Sequence, residues 1–313
     1  MTKQHNKSNV VAIITMFFMF AMISFVTNMA APFGNIWKTH YEWSGMLGNL
    51  MNFAAYLIMG IPAGKMLSQI GYKKTALIAL GVGFIGILIQ FSSSYMPIGM
   101  SALVVYLLGA FVCGFCVCML NTVVNPMLNT LGGGGNRGNQ LIQAGGACNS
   151  LAGTLTPLLA GAMIGTITKQ TAMADVRPLL LIALAVFALS FVIIYFVAIP
   201  EPNLDKNKPT TAKAKDPHSA WSFRHLVLGV VAIFFYIGVE VGIPGELNFY
   251  LSDPGVRGAG LGEGAAVIGG AIAAVYWLLM LVGRLISSAM SSKVSTNISS
   301  RYTILSCAAA NVD

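Results

Sequence analysis

Charge is what this chain has least of. Only 9% of its 313 residues are charged, against about 25% in an ordinary soluble domain, which excludes a globular fold with a hydrated surface. Histidine is nearly absent too: the four are His5, His40, His218 and His225, all in tails, loops or a helix end. With no paired acids and no nucleophile beside a base at depth, an intramembrane enzyme is excluded and no cofactor is implied. Of the five cysteines, Cys113, Cys116, Cys118 and Cys148 lie inside apolar runs and Cys307 near the end, so neither a disulfide framework nor a zinc knuckle fits. Buried there, they act as small hydrophobes. No cleavable leader is expected, because the apolar run after Thr2 to Asn9 has no cleavage-type end and is long enough to span. The run Gly132 to Gly135 is followed by Asn136-Arg137 with no GK[ST] and no preceding strand, which removes the phosphate-loop reading and leaves a cytoplasmic loop.

What is present is apolar length. The chain is 56% hydrophobic with mean hydropathy +0.75, and runs of about 20 apolar residues, enough to cross a bilayer as helix, recur between short polar joints. They predict an all-α polytopic membrane protein with spans near 10–33, 46–69, 75–94, 98–128, 139–166, 177–199, 225–251 and 264–290. A weakly apolar run after Lys293 reads as a ninth span cut short at Asp313. The net charge of +8 is topological. With the N-terminus inside, only Lys38, Lys169, Arg177 and Arg257 of the 18 lysines and arginines fall outside, the positive-inside pattern of a multi-pass inner-membrane protein with a cytoplasmic N-terminus. Nucleic acid is therefore not a partner; the bilayer is.

Polar residues inside the spans are few and patterned. Ser24 and Asn28 share a face of the first span, as do Asn49, Asn52 and Tyr56 of the second. Asn121, Asn125 and Asn129 recur every four residues of the fourth, and the fifth adds Gln143 and Asn149 among Gly145, Gly146 and Gly153. A single amide of this kind is often interhelical glue, worth about 0.6 kcal/mol. Three in one stripe point to a hydrophilic path, because polar groups in hydrocarbon must find partners. In the seventh span, IFFYIGVEVGIPGELNFYL sets Glu240 inside an apolar run, then Gly242-Ile243-Pro244-Gly245, then Glu246. A buried acid costs about 2.5–3.5 kcal/mol on insertion scales, so it marks a wet cavity or a partnered group. The Gly-Pro-Gly stretch predicts a break in the helix. Glu240 either faces that cavity or hydrogen-bonds a neighbouring helix across a kink.

Between the second and third spans the chain reads GIPAGKMLSQIGYKKT, Gly60 to Thr75. This resembles the loop signature of the major facilitator superfamily, with Ser68 or Gln69 where an acid is usual. A faint repeat supports it: Gly64-Lys65 followed by Lys74 recurs as Gly283-Arg284 followed by Lys293, offset by 219 positions. The resemblance implies a gating role for Gly64, Lys65, Lys74, Gly283 and Arg284. It also implies an N-terminal six-helix bundle over 1–200, a cytoplasmic linker over 201–221, and over 222–313 the first two to three helices of a second bundle. On this reading the chain is C-terminally truncated, a complete protein being about twice the offset.

Longer stretches are similar to the fucose:proton symporter branch of that superfamily: NTVVNPMLNTLG from Asn121, NQLIQAGGACNSLAGTLTPLLAG from Asn139, FFYIGVEVGIPGELNFYLSDP from Phe234 and YWLLMLVGRLISSAM from Tyr276. The resemblance implies uptake of a monosaccharide by a monomer that alternates its access between the two sides, coupled to protons. Amides supply both donors and acceptors for sugar hydroxyls, which selects Asn28, Asn52, Asn121, Asn125, Gln143 and Asn149, with Tyr276 and Trp277 from the second bundle. Trp277 either stacks on a sugar face, or anchors at the bilayer or packs in the core. Glu240 is the proton-coupling residue. The chain departs from the branch at Ala30, Ala31 and Asn121, where members carry Asn-Asp and an acid. Those departures keep an uncoupled or sodium-coupled porter open, and truncation keeps open a non-transporting scaffold.

Overall fold

The computed structural model describes residues 2–164, 171–201, 220–252 and 265–291. The linker 202–219, Lys169, Arg257, the side chain of Glu246 and the expected ninth span after Lys293 lie outside the described residues. The long elements are α1 Thr2–Asn28, α2 Ala30–His40, α3 Leu47–Ser93, α4 Met100–Leu131, α5 Gly135–Ile164, α6 Arg177–Phe196, α7 Arg224–Ser252 and α8 Ala265–Ser291. No strand occurs among the described residues, so the chain is the expected all-α, multi-pass membrane protein. It divides into two compact units: Met1–Asn203 with Trp277–Asp313, and Leu204–Tyr276. The division falls within α8, after Tyr276.

Several boundaries have a clear chemical cause. The first crossing breaks at Met29 and resumes as α2 to His40, further than the sequence indicated. Pro32 lacks the N–H that the Asn28 carbonyl would receive, and it sits comfortably in the first turn of the restarted helix, where an N–H has no intrahelical partner. At 47 residues, α3 is about 70 Å long at 1.5 Å per residue, twice what a bilayer core needs. It is two crossings joined at Gly71, whose φ of 85° and ψ of 178° suit glycine alone. The Gly132–Gly135 segment is a turn, with positive φ at Gly133, Gly134 and Gly135. The break expected at Gly242 to Gly245 is not there: α7 runs unbroken from Arg224 to Ser252. A proline removes one backbone donor, and transmembrane helices tolerate that loss.

In the larger unit α3 packs closely on α4. A methyl at Gly86 would lie 2.8 Å from the Cys113 nitrogen, and one at Gly109 would lie 2.8 Å from the Gly86 oxygen. Small residues let backbones approach, which drives helix association where lipid is as apolar as leucine. The core around this seam holds Met16, Met19, Phe33, Trp37, Tyr106 and Phe187. Arg177, at the start of α6, donates to Ser94 O at 2.6 Å and Ser94 Oγ at 3.2 Å and lies 4.1 Å from the Tyr95 ring centre. It fastens α6 to the end of α3.

Candidate functional site

Phe20, Ser24 and Asn28 lie four residues apart on α1, and Gly145, Asn149 and Gly153 four apart on α5. The two rows face each other. Gly145 makes room for the Phe20 ring, whose atoms would lie 2.7 and 2.8 Å from a methyl there. Asn149 Nδ2 donates to the Phe20 carbonyl at 3.1 Å. Asn28 Nδ2 donates to Ser24 O at 2.8 Å and to Ser24 Oγ at 3.0 Å. A methyl on Gly153 would lie 3.1 Å from Ser24 Oγ, 3.4 Å from Asn28 Nδ2 and 3.5 Å from Trp277 Cε3. Thus α1, α5 and α8 meet over one glycine, with an amide, a hydroxyl and an indole around it.

From Trp277 onward α8 runs antiparallel along α5. Seven residues after Trp277, Arg284 Nη1 donates to the Gly146 carbonyl at 2.9 Å, and Gly146 is seven residues before Gly153. Ser288 Oγ then donates to the Gln140 carbonyl at 3.1 Å. A side chain on Gly146 would crowd the guanidinium, at 3.0 Å from Nη1 and 3.3 Å from Cδ. Gln143 is half-buried on α5, three residues before Gly146.

A second polar cluster joins α3 and α4. Asn121 Nδ2 donates to the Tyr56 hydroxyl at 2.7 Å, and Asn125 Nδ2 to the Asn121 carbonyl at 3.1 Å. The third amide of the stripe, Asn129, is exposed. Asn52 departs from expectation. One turn from Tyr56 on α3, it is 5% exposed and belongs to neither cluster. It lines a small cavity with Val26, Met29, Phe33, Gln90 and Cys113, all of them buried, and the space is too small for a sugar.

In the smaller unit Glu240 is half-buried on α7, and its carbonyl accepts a bond from the Tyr276 hydroxyl at 3.3 Å. Of the gating set, Gly64, Lys65, Lys74 and Gly283 are exposed, while Arg284 is engaged as described. Sequence reasoning missed Glu201. Its carboxylate accepts the Tyr72 N–H at 2.8 Å and the Lys73 N–H at 2.7 Å, and Lys73 Nζ donates to Val197 O at 2.9 Å. Both amides belong to the turn just past Gly71, where the second half of α3 begins and leaves donors unpaired. An acid at a helix start is favourable through the dipole as well. The visible hint was Gly71 before the Lys73-Lys74 pair; nothing in the sequence pointed from there to Glu201.

Comparison with known proteins places these features in a family. Residues 10–312 match the family model of the Major Facilitator Superfamily. Two Brucella abortus proteins, from strains 9-941 and 2308, each named glucose/galactose transporter, are 33% identical over 281 residues, covering 88% of this chain and 64% of their own length. A Helicobacter pylori J99 protein, provisionally given the same name, is 27% identical over 309 residues, covering 95% of this chain and 71% of its own. The chain thus spans a little under two thirds of the Brucella relatives.

Proposed function

Because this chain belongs to the major facilitator superfamily, we propose that it works as a secondary transporter for a glucose- or galactose-like monosaccharide. The observation that carries the proposal is the meeting at Gly153 of Asn28, Ser24 and Trp277, next to Asn149. Amides and hydroxyls match sugar hydroxyls in both directions, and an indole offers an apolar body with a polar edge. Asn121, Asn125 and Tyr56 form a second polar surface on the same bundle, and Gln143 completes the candidate set there; Tyr276 is proposed for the smaller unit by itself. The names of the Brucella and Helicobacter relatives support the sugar class. The protein sits in the inner membrane as a monomer with its N-terminus in the cytoplasm, and access alternates as helix seams close and open. Arg284 on Gly146 is a gate contact of the closed seam; Gly64, Lys65, Lys74 and Gly283 serve the same motion at the membrane surface.

Glu240 is the residue proposed to carry a coupling proton, as a half-buried acid on an apolar helix. The specific observation favouring a second reading, an uncoupled or sodium-coupled porter, is that Ala31 and Asn121 stand where acids occur in the branch it resembles. One experiment separates the readings. Vesicles carrying the full-length protein are given labelled glucose, galactose or fucose with an imposed pH gradient and no sodium. Under proton coupling Glu240→Gln abolishes accumulation and leaves sugar exchange intact; accumulation unchanged in that variant refutes the assignment. Failure of all three sugars to exchange in the parent protein refutes the sugar reading itself.

A further inference from the structure

The cavity beside Asn52 is formed where the first crossing breaks. Val26, Met29 and Phe33 reach it from the two sides of the Met29 junction, Asn52 and Gln90 from α3, and Cys113 from α4. Asn52 Oδ1 is a buried acceptor with no hydrogen-bond partner among the described residues, and Gln90, 6% exposed, brings a second amide to the same space. A buried carbonyl oxygen without a donor is costly, and more so at membrane depth. The cavity measures about 10 Å³ as the space open to the centre of a water-sized sphere, close to the smallest volume that holds one water. We infer that this cavity is a binding site for a single ordered water molecule, which donates to Asn52 Oδ1 and is held by the Gln90 amide, beside the Met29 junction between α1 and α2.

The size and the donor set choose water over other occupants. A sugar or any multi-atom solute exceeds the volume. A hard cation needs six or more oxygen ligands, and here two amides face apolar walls and a thiol. Water both donates and accepts, and two to four polar partners are what a buried water needs. The assignment gives Asn52 a role independent of the sugar pocket.

X-ray radiolytic labelling of the full-length protein tests it, because hydroxyl radicals formed from a bound water oxidise the side chains beside it. Met29 and Cys113 line the cavity at 2% and 1% exposure; Met16 and Cys116, at 0% each, are equally buried and do not line it. Oxidation of Met29 and Cys113 at least fivefold faster than of Met16 and Cys116 is expected, falling to the control rate in Asn52→Val or Gln90→Leu and unaffected by saturating galactose. Equal rates at the four positions in the parent protein overturn the site. So does fast labelling that persists in both variants, since the oxidant would then reach Met29 and Cys113 from bulk solvent. Loss of labelling on adding galactose also overturns it, by tying the cavity to the sugar path.

Discussion

Replacing Arg284 by glutamine removes the charged donor that holds α8 on α5. A hydrogen bond involving a charged group contributes about 1.5–3 kcal/mol net, and at 1.4 kcal/mol per tenfold that range is roughly 10- to 150-fold in the balance between a closed and an open seam. Arg284 is only half-buried, so water replaces part of the lost bond and the low end, roughly tenfold, applies. Ser288 is the natural reporter. It is 9% exposed and tied to Gln140 when the seam is closed. In the full-length protein with Ser288→Cys, Cys148→Ala and Cys307→Ala, a maleimide should react with position 288 about tenfold faster after Arg284→Gln. Gly146→Ala should act in the same direction and more weakly, because its methyl would stand 3.0 Å from Nη1 and a flexible arginine can shift by the few tenths of an ångström required. Rates within twofold of the parent in both variants would show that the contact does not hold the seam, and the gating role of Arg284 would be withdrawn.

Two other perturbations test separate links. Gly153→Leu fills the space shared by Ser24, Asn28 and Trp277; folded protein that no longer exchanges sugar is expected, while normal exchange would remove this place from the proposed pocket. Glu201→Ala leaves two backbone donors at the start of the second half of α3 without their carboxylate, a loss on the scale of a helix cap, about 0.5–2 kcal/mol. Thermal unfolding in detergent should move down, with Glu201→Gln between the two, since one amide oxygen replaces a charged pair of acceptors; an unchanged midpoint in the alanine variant would show that the cap adds nothing to stability.

The sequence was most legible where one physical rule acts alone. Apolar length set the crossings, and α4, α5, α6, α7 and α8 end within a few residues of the spans read from hydropathy. Competing effects were harder to read. The Gly-Pro-Gly stretch of α7 predicts a break by local propensity, yet a long apolar helix keeps its course through a single missing donor. Asn52 and Asn121 look alike as letters, both amides on polar faces. Asn121 finds the Tyr56 hydroxyl, whereas Asn52 turns into the core because Gly114 lets α4 approach its backbone, to 2.6 Å from a methyl at that position. Glu201 could not be found in advance, because its partners are main-chain N–H groups more than a hundred positions away, and every residue type carries those.

The matching seven-residue steps on α5 and α8 restrict how that pair can move. Seven residues are about 10.5 Å of helix, so sliding by a single turn would not restore the pairing of Trp277 with Gly153 and Arg284 with Gly146. It would carry the guanidinium toward Ile142 or Ser150, both of which bear side chains where Gly146 has none. With one seat for the arginine and no neighbouring notch to drop into, a track of piston-like positions is closed to the pair, and under the proposed alternating access the motion left to it is a tilt of one helix away from the other.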